Sequence, residues 1–183
     1  MKDLPVAALF VLLPVAYLAG CQSLLPPPEP LHAPIVTDSS EIGVSFRGNV
    51  YVAKIGFTFT NTTGHLISRA GCGGPGWPAV EKKVKDRWVP AYYPVYPMCR
   101  TIPDFSWEPG AQIRDQVSFM AFAPGHNTMP ELIVDSIDGI YRLHWGFTQG
   151  RNASAEKARR VDAVSNEFRM ILRSSPAASS NTR

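Results

Sequence analysis

Apolar and polar residues alternate with a period of two along most of this chain, which is the pattern of half-buried strands. Ile42, Val44 and Phe46 alternate with Gly43, Ser45 and Arg47, and Gly48-Asn49 then supplies a turn. Tyr51 to Thr60 follows, with Ile55, Phe57 and Phe59 on one face and Gly56, Thr58 and Thr60 on the other. It is rich in aromatic and β-branched residues, as strands are. Asn61-Thr62-Thr63-Gly64 turns the chain, and Leu66 to Arg69 reads as a short strand. Pro78 to Pro90 reads as a hairpin with a polar turn at Lys85-Asp86 and Trp88 on its second arm. Its lysines, Lys82, Lys83 and Lys85, fit the protection of a solvated edge strand. Ile102 to Pro109 carries Phe105 and Trp107 and ends in a Glu108-Pro109-Gly110 turn.

A long strand is expected from Ile113 to Ala123, with Val117, Phe119 and Ala121 on one face. Pro124 to Asn127 is loop, Leu132 to Val134 a short strand, and Asp138-Gly139 a hairpin-type turn. Ile140 to Phe147 sets Tyr141, Leu143 and Trp145 against Arg142, His144 and Gly146, which directs His144 to solvent. A polar loop is expected from Gln149 to about Ser165. The segment 161–173 fits a helical stripe through Val161, Val164, Phe168, Ile171 and Leu172, and also a strand through Phe168, Met170 and Leu172. A closing edge strand suits the rest of the pattern better. Strands at spacings of about 8–12 residues with turns between them predict an all-β, immunoglobulin-like antiparallel β-sandwich.

Composition agrees with short strands and many loops. Of 183 residues, 17 are proline, which removes a backbone donor and breaks helices. Hydrophobic residues at 45% suffice for a packed core. A formal net charge of only +3, spread along the chain, argues against a nucleic-acid surface.

The N-terminus has the form of a targeting segment. Lys2 precedes an apolar run, Leu4 to Ala19, that contains Pro5 and Pro14 and is shorter than the ~20 residues a spanning helix needs. Leu18-Ala19-Gly20-Cys21 follows and resembles the lipobox of bacterial lipoproteins. That resemblance implies cleavage before Cys21 and lipidation of its thiol, and Gln22 next to it implies delivery to the outer membrane. The expected organisation is a signal peptide over 1–20, a lipidated cysteine and Pro-rich tether over 21–34, one sandwich domain over 35–173, and a disordered Ser/Ala tail over 174–183.

With Cys21 carrying lipid, Cys72 and Cys99 remain as a pair in an oxidising compartment. A disulfide between them closes a loop of 99 − 72 = 27 positions. Chain-entropy reasoning gives it roughly 3–4 kcal/mol. The competing use of Cys99 is a copper or zinc site with His65, His126 or His144, although no CxxC-type pair is present.

Chemistry is otherwise sparse. No GxSxG, HExxH, P-loop or glycine-rich nucleotide loop occurs. Asp135 and Asp138 flank a turn, where acidic residues are turn formers. No catalytic residue and no cofactor are expected. The stretch Tyr92-Tyr93-Pro94-Val95-Tyr96-Pro97-Met98-Cys99 is the candidate recognition loop, because tyrosines give broad contact area at low entropic cost. Tyr92, Tyr93 and Tyr96 are equally suited to cover one end of the core.

One further resemblance spans Ile42 to Leu172. Phe57-Thr58-Phe59-Thr60-Asn61-Thr62, Cys72, the Val80-Glu81-Lys82 and Arg87-Trp88-Val89 arms, Cys99, Glu108-Pro109-Gly110, Gly139-Ile140-Tyr141-Arg142-Leu143 and Ser165-Asn166-Glu167-Phe168 follow in an order similar to envelope relatives of the intracellular proteinase-inhibitor (BsuPI-like) domain. The chain lacks the antibody-type cysteine on its first long strand, and no residue inherits inhibitory activity. Together these readings imply a membrane-anchored, non-enzymatic binding module of the bacterial envelope with a protein or peptide partner. The alternative is a metal carrier or small enzyme using histidines near Cys99.

Overall fold

A computed structural model describes residues 31–70, 76–92, 104–126, 128–150 and 159–173. Among them there is no helix, and 67% lie in strands, so the protein is all-β. Strand β3 (Val50–Thr60) and strand β8 (Gln112–Phe122) pair antiparallel over their full length, from Val50 opposite Phe122 to Thr60 opposite Gln112. A second long strand, β9 (Gly139–Gln149), has β10 (Arg160–Ser165) and β11 (Phe168–Arg173) along one edge. Along its other edge lie β4 (Ile67–Ala70) and β5 (Ala79–Val84). The outermost pieces on that side are β6 (Arg87–Pro90), paired with β5, and β7 (Asp104–Trp107), paired with β4.

Two short strands join these layers. β1 (Leu31–Thr37) and β2 (Glu41–Arg47) start in parallel with β10 and β11 respectively, then cross to pair antiparallel with β3. The expected sandwich was wholly antiparallel; these two junctions are the exception. β1 and β2 run one after the other along β3, and β10 and β11 run one after the other along β9. Each break lets the sheet change partners and fold over. The result is compatible with an immunoglobulin-like sandwich.

The two layers meet through aromatic side chains. Phe57 and Phe59 of β3 pack on Trp145 at ring-centroid distances of 5.9 and 5.6 Å, and Phe59 stacks on Phe147 at 5.1 Å. Trp107 closes this cluster against Trp145 and Phe147. The inward residues are those the alternation picked out: Ile55, Phe57, Phe59, Val117, Phe119, Ala121, Tyr141, Leu143 and Trp145 are all buried. Both tight hairpins use left-handed backbone at two successive positions, Gly48-Asn49 (φ 51° and 74°) and Lys85-Asp86 (φ 48° and 61°). That conformation matches the twist of the flanking strands.

Several expectations change. The tether was expected to reach residue 34, but β1 takes in Leu31 to Pro34, which pair with Val161 to Val164. The polar loop ends earlier than expected, because β10 begins at Arg160. The ambiguous C-terminal segment is strand, with Phe168 and Met170 facing the core. The expected strand at Leu132 to Val134 is reduced to single bridges, Tyr92 with Leu132 and Phe122 with Glu131.

The lysine cluster is also corrected. β5 is not an edge strand but lies between β6 and β9. Lys82 shares the inward register of Val80 and Val84 and is only 7% exposed. Its ammonium donates to the Ser136 carbonyl at 2.6 Å and contacts the Ser136 hydroxyl at 3.0 Å. Gly139 passes so close that an added Cβ would lie 2.7 Å from Lys82 Cε. Burial holds the Lys82 pKa below its ordinary value, against the opposing pull of Asp135 and Asp138. A lysine here can be sheltered because its stem packs on the apolar face and its head reaches loop oxygens.

Candidate functional site

The recognition loop was expected to begin at Tyr92, and Tyr92 is rooted in the scaffold. Its ring meets Phe119 edge-on at 4.9 Å, and its backbone bridges to Leu132. The Ala91 N–H donates to the Val80 carbonyl, and the Ile133 N–H donates to the Ala91 carbonyl, both at 2.9 Å. Tyr92 is half-buried and packs against the core, which gives it the covering role that was one of its two expected uses. Ile133, whose N–H donates to the Ala91 carbonyl, is 44% exposed, and Trp77, three residues before Val80, is 58% exposed. Tyr93, Tyr96, Cys72, Cys99 and Cys21 lie outside the described residues.

The most built polar cluster sits elsewhere, on the outer face of β5, β9 and β10. Sequence alternation directed His144 to solvent; instead it is clamped. Its Nδ1 lies 3.1 Å from Glu81 Oε1 and its Nε2 lies 3.0 Å from Asp162 Oδ1. Each carboxylate has its own arginine: Arg142 Nε donates to Glu81 Oε2 at 2.7 Å, and Arg160 Nε donates to Asp162 Oδ1 at 2.9 Å. The contacts run in the order Arg142, Glu81, His144, Asp162, Arg160. Register explains it, since Glu81 stands directly opposite Arg142, and Asp162 directly opposite Gly146, two residues from His144. Neither pairing is visible in one strand alone, so alternation could place His144 on the outer face but not find its partners.

The cluster is half-sheltered. Glu81 and Asp162 side chains are 14% and 15% exposed, and His144 is 24% exposed. Trp88 shields one flank, with the Arg142 guanidinium 4.4 Å from its ring centroid and Lys83 at 5.7 Å. Arg69 closes the other, donating to the Gly146 carbonyl at 2.6 Å. The hydrogen bond to Glu81 raises the His144 pKa above its ordinary 6.5, against burial, with Asp162 adding to the rise. Burial pushes the two carboxylates upward, but their bonds to His144 and to Arg142 or Arg160 win and hold both below their ordinary values.

Chemically this arrangement is closed. Both imidazole nitrogens face carboxylates, so neither is free to take a proton from a nucleophile or to ligate a metal without breaking the clamp. Among the described residues no group of three or more His, Cys, Asp or Glu side chains is arranged to hold a metal ion. His65 lies in the turn after β3, where its carbonyl accepts from Asn61, and His126 lies beside Phe122 at 6.5 Å. The Asp138 carboxylate reaches across to β11, where it accepts from the Leu172 N–H at 2.8 Å.

Comparison of the chain with protein-family models, with curated proteins and with solved structures finds no match.

Proposed function

We propose that this chain is a lipid-anchored, non-enzymatic binding module of the bacterial cell envelope. Cys21 carries the anchor, and Gln22 favours the outer membrane over the inner. The Pro-rich stretch before β1 spaces the domain from the membrane, and the loop from Tyr92 to Cys99 contacts a protein or peptide partner. In this reading a Cys72–Cys99 disulfide restrains that loop. The order of motifs from Ile42 to Leu172 supports kinship with envelope relatives of the BsuPI-like domain.

The observation that carries the reading is the root of the loop. Tyr92 is fixed by its ring on Phe119 and by its bridge to Leu132. Tyr92 therefore joins the proposed recognition stretch to the packed core. Loops held by a rigid scaffold are where binding residues concentrate. The closed Glu81–His144–Asp162 cluster supports a structural role for the best-placed titratable group rather than a catalytic one.

The test is site-specific photo-crosslinking in intact cells. A photoreactive residue replacing Tyr93 or Tyr96 should give a discrete adduct with one envelope protein, and one replacing Lys54 on the outer face of β3 should not. The same adducts from all three positions, or none from any, would overturn the assignment of the loop.

A further inference from the structure

We propose that His144 is a proton-operated clasp that fastens β5 and β10 to opposite edges of β9 when its ring is charged and loosens its hold on them when it is neutral. β9 has β5 on one side and β10 on the other. His144 projects from β9 and reaches a carboxylate on each neighbour, Glu81 of β5 at 3.1 Å and Asp162 of β10 at 3.0 Å. An imidazolium has two N–H donors, one for each acceptor; a neutral imidazole has only one. In the neutral ring the other nitrogen turns a lone pair toward a carboxylate oxygen about 3 Å away, and that contact becomes repulsive.

The surrounding charges decide where the proton resides. On β9, Arg142 neutralises Glu81; on β10, Arg160 neutralises Asp162. On β4, Arg69 lies against Gly146. On β5, Lys83 is taken by Glu167, which precedes β11. β6 contributes Trp88, which is uncharged, between Lys83 and Arg142. Both carboxylates are thus held ionised by arginines, and the ring between them is the group that titrates. This inference stands on the geometry of the cluster and not on the proposed function.

The signs follow from the pKa directions. The His144 pKa is raised, so its contribution is complete below its ordinary 6.5 and is lost as pH rises through the higher folded value. The Glu81 and Asp162 pKa values are lowered, so their contributions are complete above their ordinary 4.5 and 3.8 and are lost as pH falls through the lower folded values. The clasp is therefore tightest in mildly acidic solution and loosens toward alkaline pH. What it loosens is the β5–β6 hairpin that carries Trp88, together with β10.

The experiment compares the wild-type chain with His144→Gln, whose amide offers one donor side and one acceptor side at every pH. Urea-unfolding midpoints are measured from pH 5 to 9. Amide exchange of β5 and β10 is read relative to the β3–β8 pair in the same molecule, which removes the intrinsic pH dependence of exchange. In the wild type, protection of β5 and β10 should fall severalfold relative to β3–β8 as pH rises above 6.5, and the midpoint should fall with it. In His144→Gln that fall should be absent or much smaller. His32, His65 and His126 are present in both proteins, so whatever they contribute cancels in the difference. Equal pH dependence in the two proteins would overturn the proposal. If the variant does not fold, ring-nitrogen NMR of the wild type decides: two protonated nitrogens at pH 6 and an elevated midpoint support the clasp, and titration at or below 6.5 refutes it.

Discussion

Asn166 holds Thr37 at both ends of its amide: the Thr37 N–H donates to Asn166 Oδ1 at 2.9 Å, and Asn166 Nδ2 donates to the Thr37 hydroxyl at 2.8 Å. The two residues are 129 positions apart in the chain. Thr37 ends β1, and Asn166 sits in the gap between β10 and β11. The contact therefore ties together the two places where the sheet changes partners. The backbone N–H groups of Asp38 and Arg169 reinforce the same corner, donating to the Gly56 and Ser40 carbonyls at 2.9 and 2.8 Å.

Asn166→Ala should destabilise the domain by roughly 1–3 kcal/mol, because the sheltered Thr37 N–H is left without an acceptor. Thr37→Val removes only the hydroxyl and should cost about 1 kcal/mol. Denaturant unfolding of the two variants and their double mutant checks this. Simple additivity in the double mutant would contradict a shared contact.

Asn61 makes a second such corner. It is 1% exposed, and its Nδ2 lies 2.8, 3.0 and 3.1 Å from the carbonyl oxygens of His65, Trp107 and Glu108. Its Oδ1 accepts from the Thr63 N–H and hydroxyl. Asn61→Ala should cost about 3 kcal/mol, the upper range for a buried group with several unsatisfied partners. Asn61→Asp should cost at least as much at neutral pH, since a carboxylate would then face three carbonyl oxygens. Thermal melts of both variants test the order; an Asp variant near wild type would show that the amide donor is not what holds the corner.

The hairpin turn at Lys85-Asp86 uses left-handed backbone at two non-glycine residues. That conformation carries a penalty of roughly 1–2 kcal/mol for most side chains, less for aspartate. Lys85→Gly should therefore stabilise the domain by roughly 0.5–1 kcal/mol after the loss of chain entropy. A lower melting temperature for this variant would mean that the lysine side chain contributes something its φ angle does not reveal.

Much of the fold was legible because burial imposes alternation. Phe57, Phe59, Val117, Phe119, Tyr141, Leu143 and Trp145 were assigned to the core from period two alone and are buried. What alternation could not reveal is register, which is a property of two strands. Glu81, His144 and Asp162 come from three strands and meet only because β5 and β10 flank β9. Lys82 is different, since the signal was present: it lies between Val80 and Val84 on the inward side. Against it stands only the cost of burying an ammonium, which usually keeps lysine on the surface. β1 holds His32 and Pro34 and β10 holds Arg160 and Asp162, and each acquires strand form from its neighbours, β1 from β10 and β3 and β10 from β1 and β9. Tyr92 could be read either way from sequence, because a half-buried tyrosine serves packing and contact alike.

The cysteine pair has its own prediction. The mature protein, unfolded without reductant, should show no titratable thiol, and reduction should destabilise it by about 3–4 kcal/mol. Two titratable thiols under those conditions would contradict the Cys72–Cys99 bridge.

The anchor is the centre of the functional account, and fractionation of cells expressing the wild type and Cys21→Ser tests it most directly. Two or more acyl chains hold a protein stably on a membrane where one holds it marginally. The wild type should sediment with membranes and shift to the detergent phase, shortened by cleavage before residue 21. Cys21→Ser should be released into the soluble fraction or persist as the uncut precursor. Equal membrane association and equal processing of the two proteins would contradict the account.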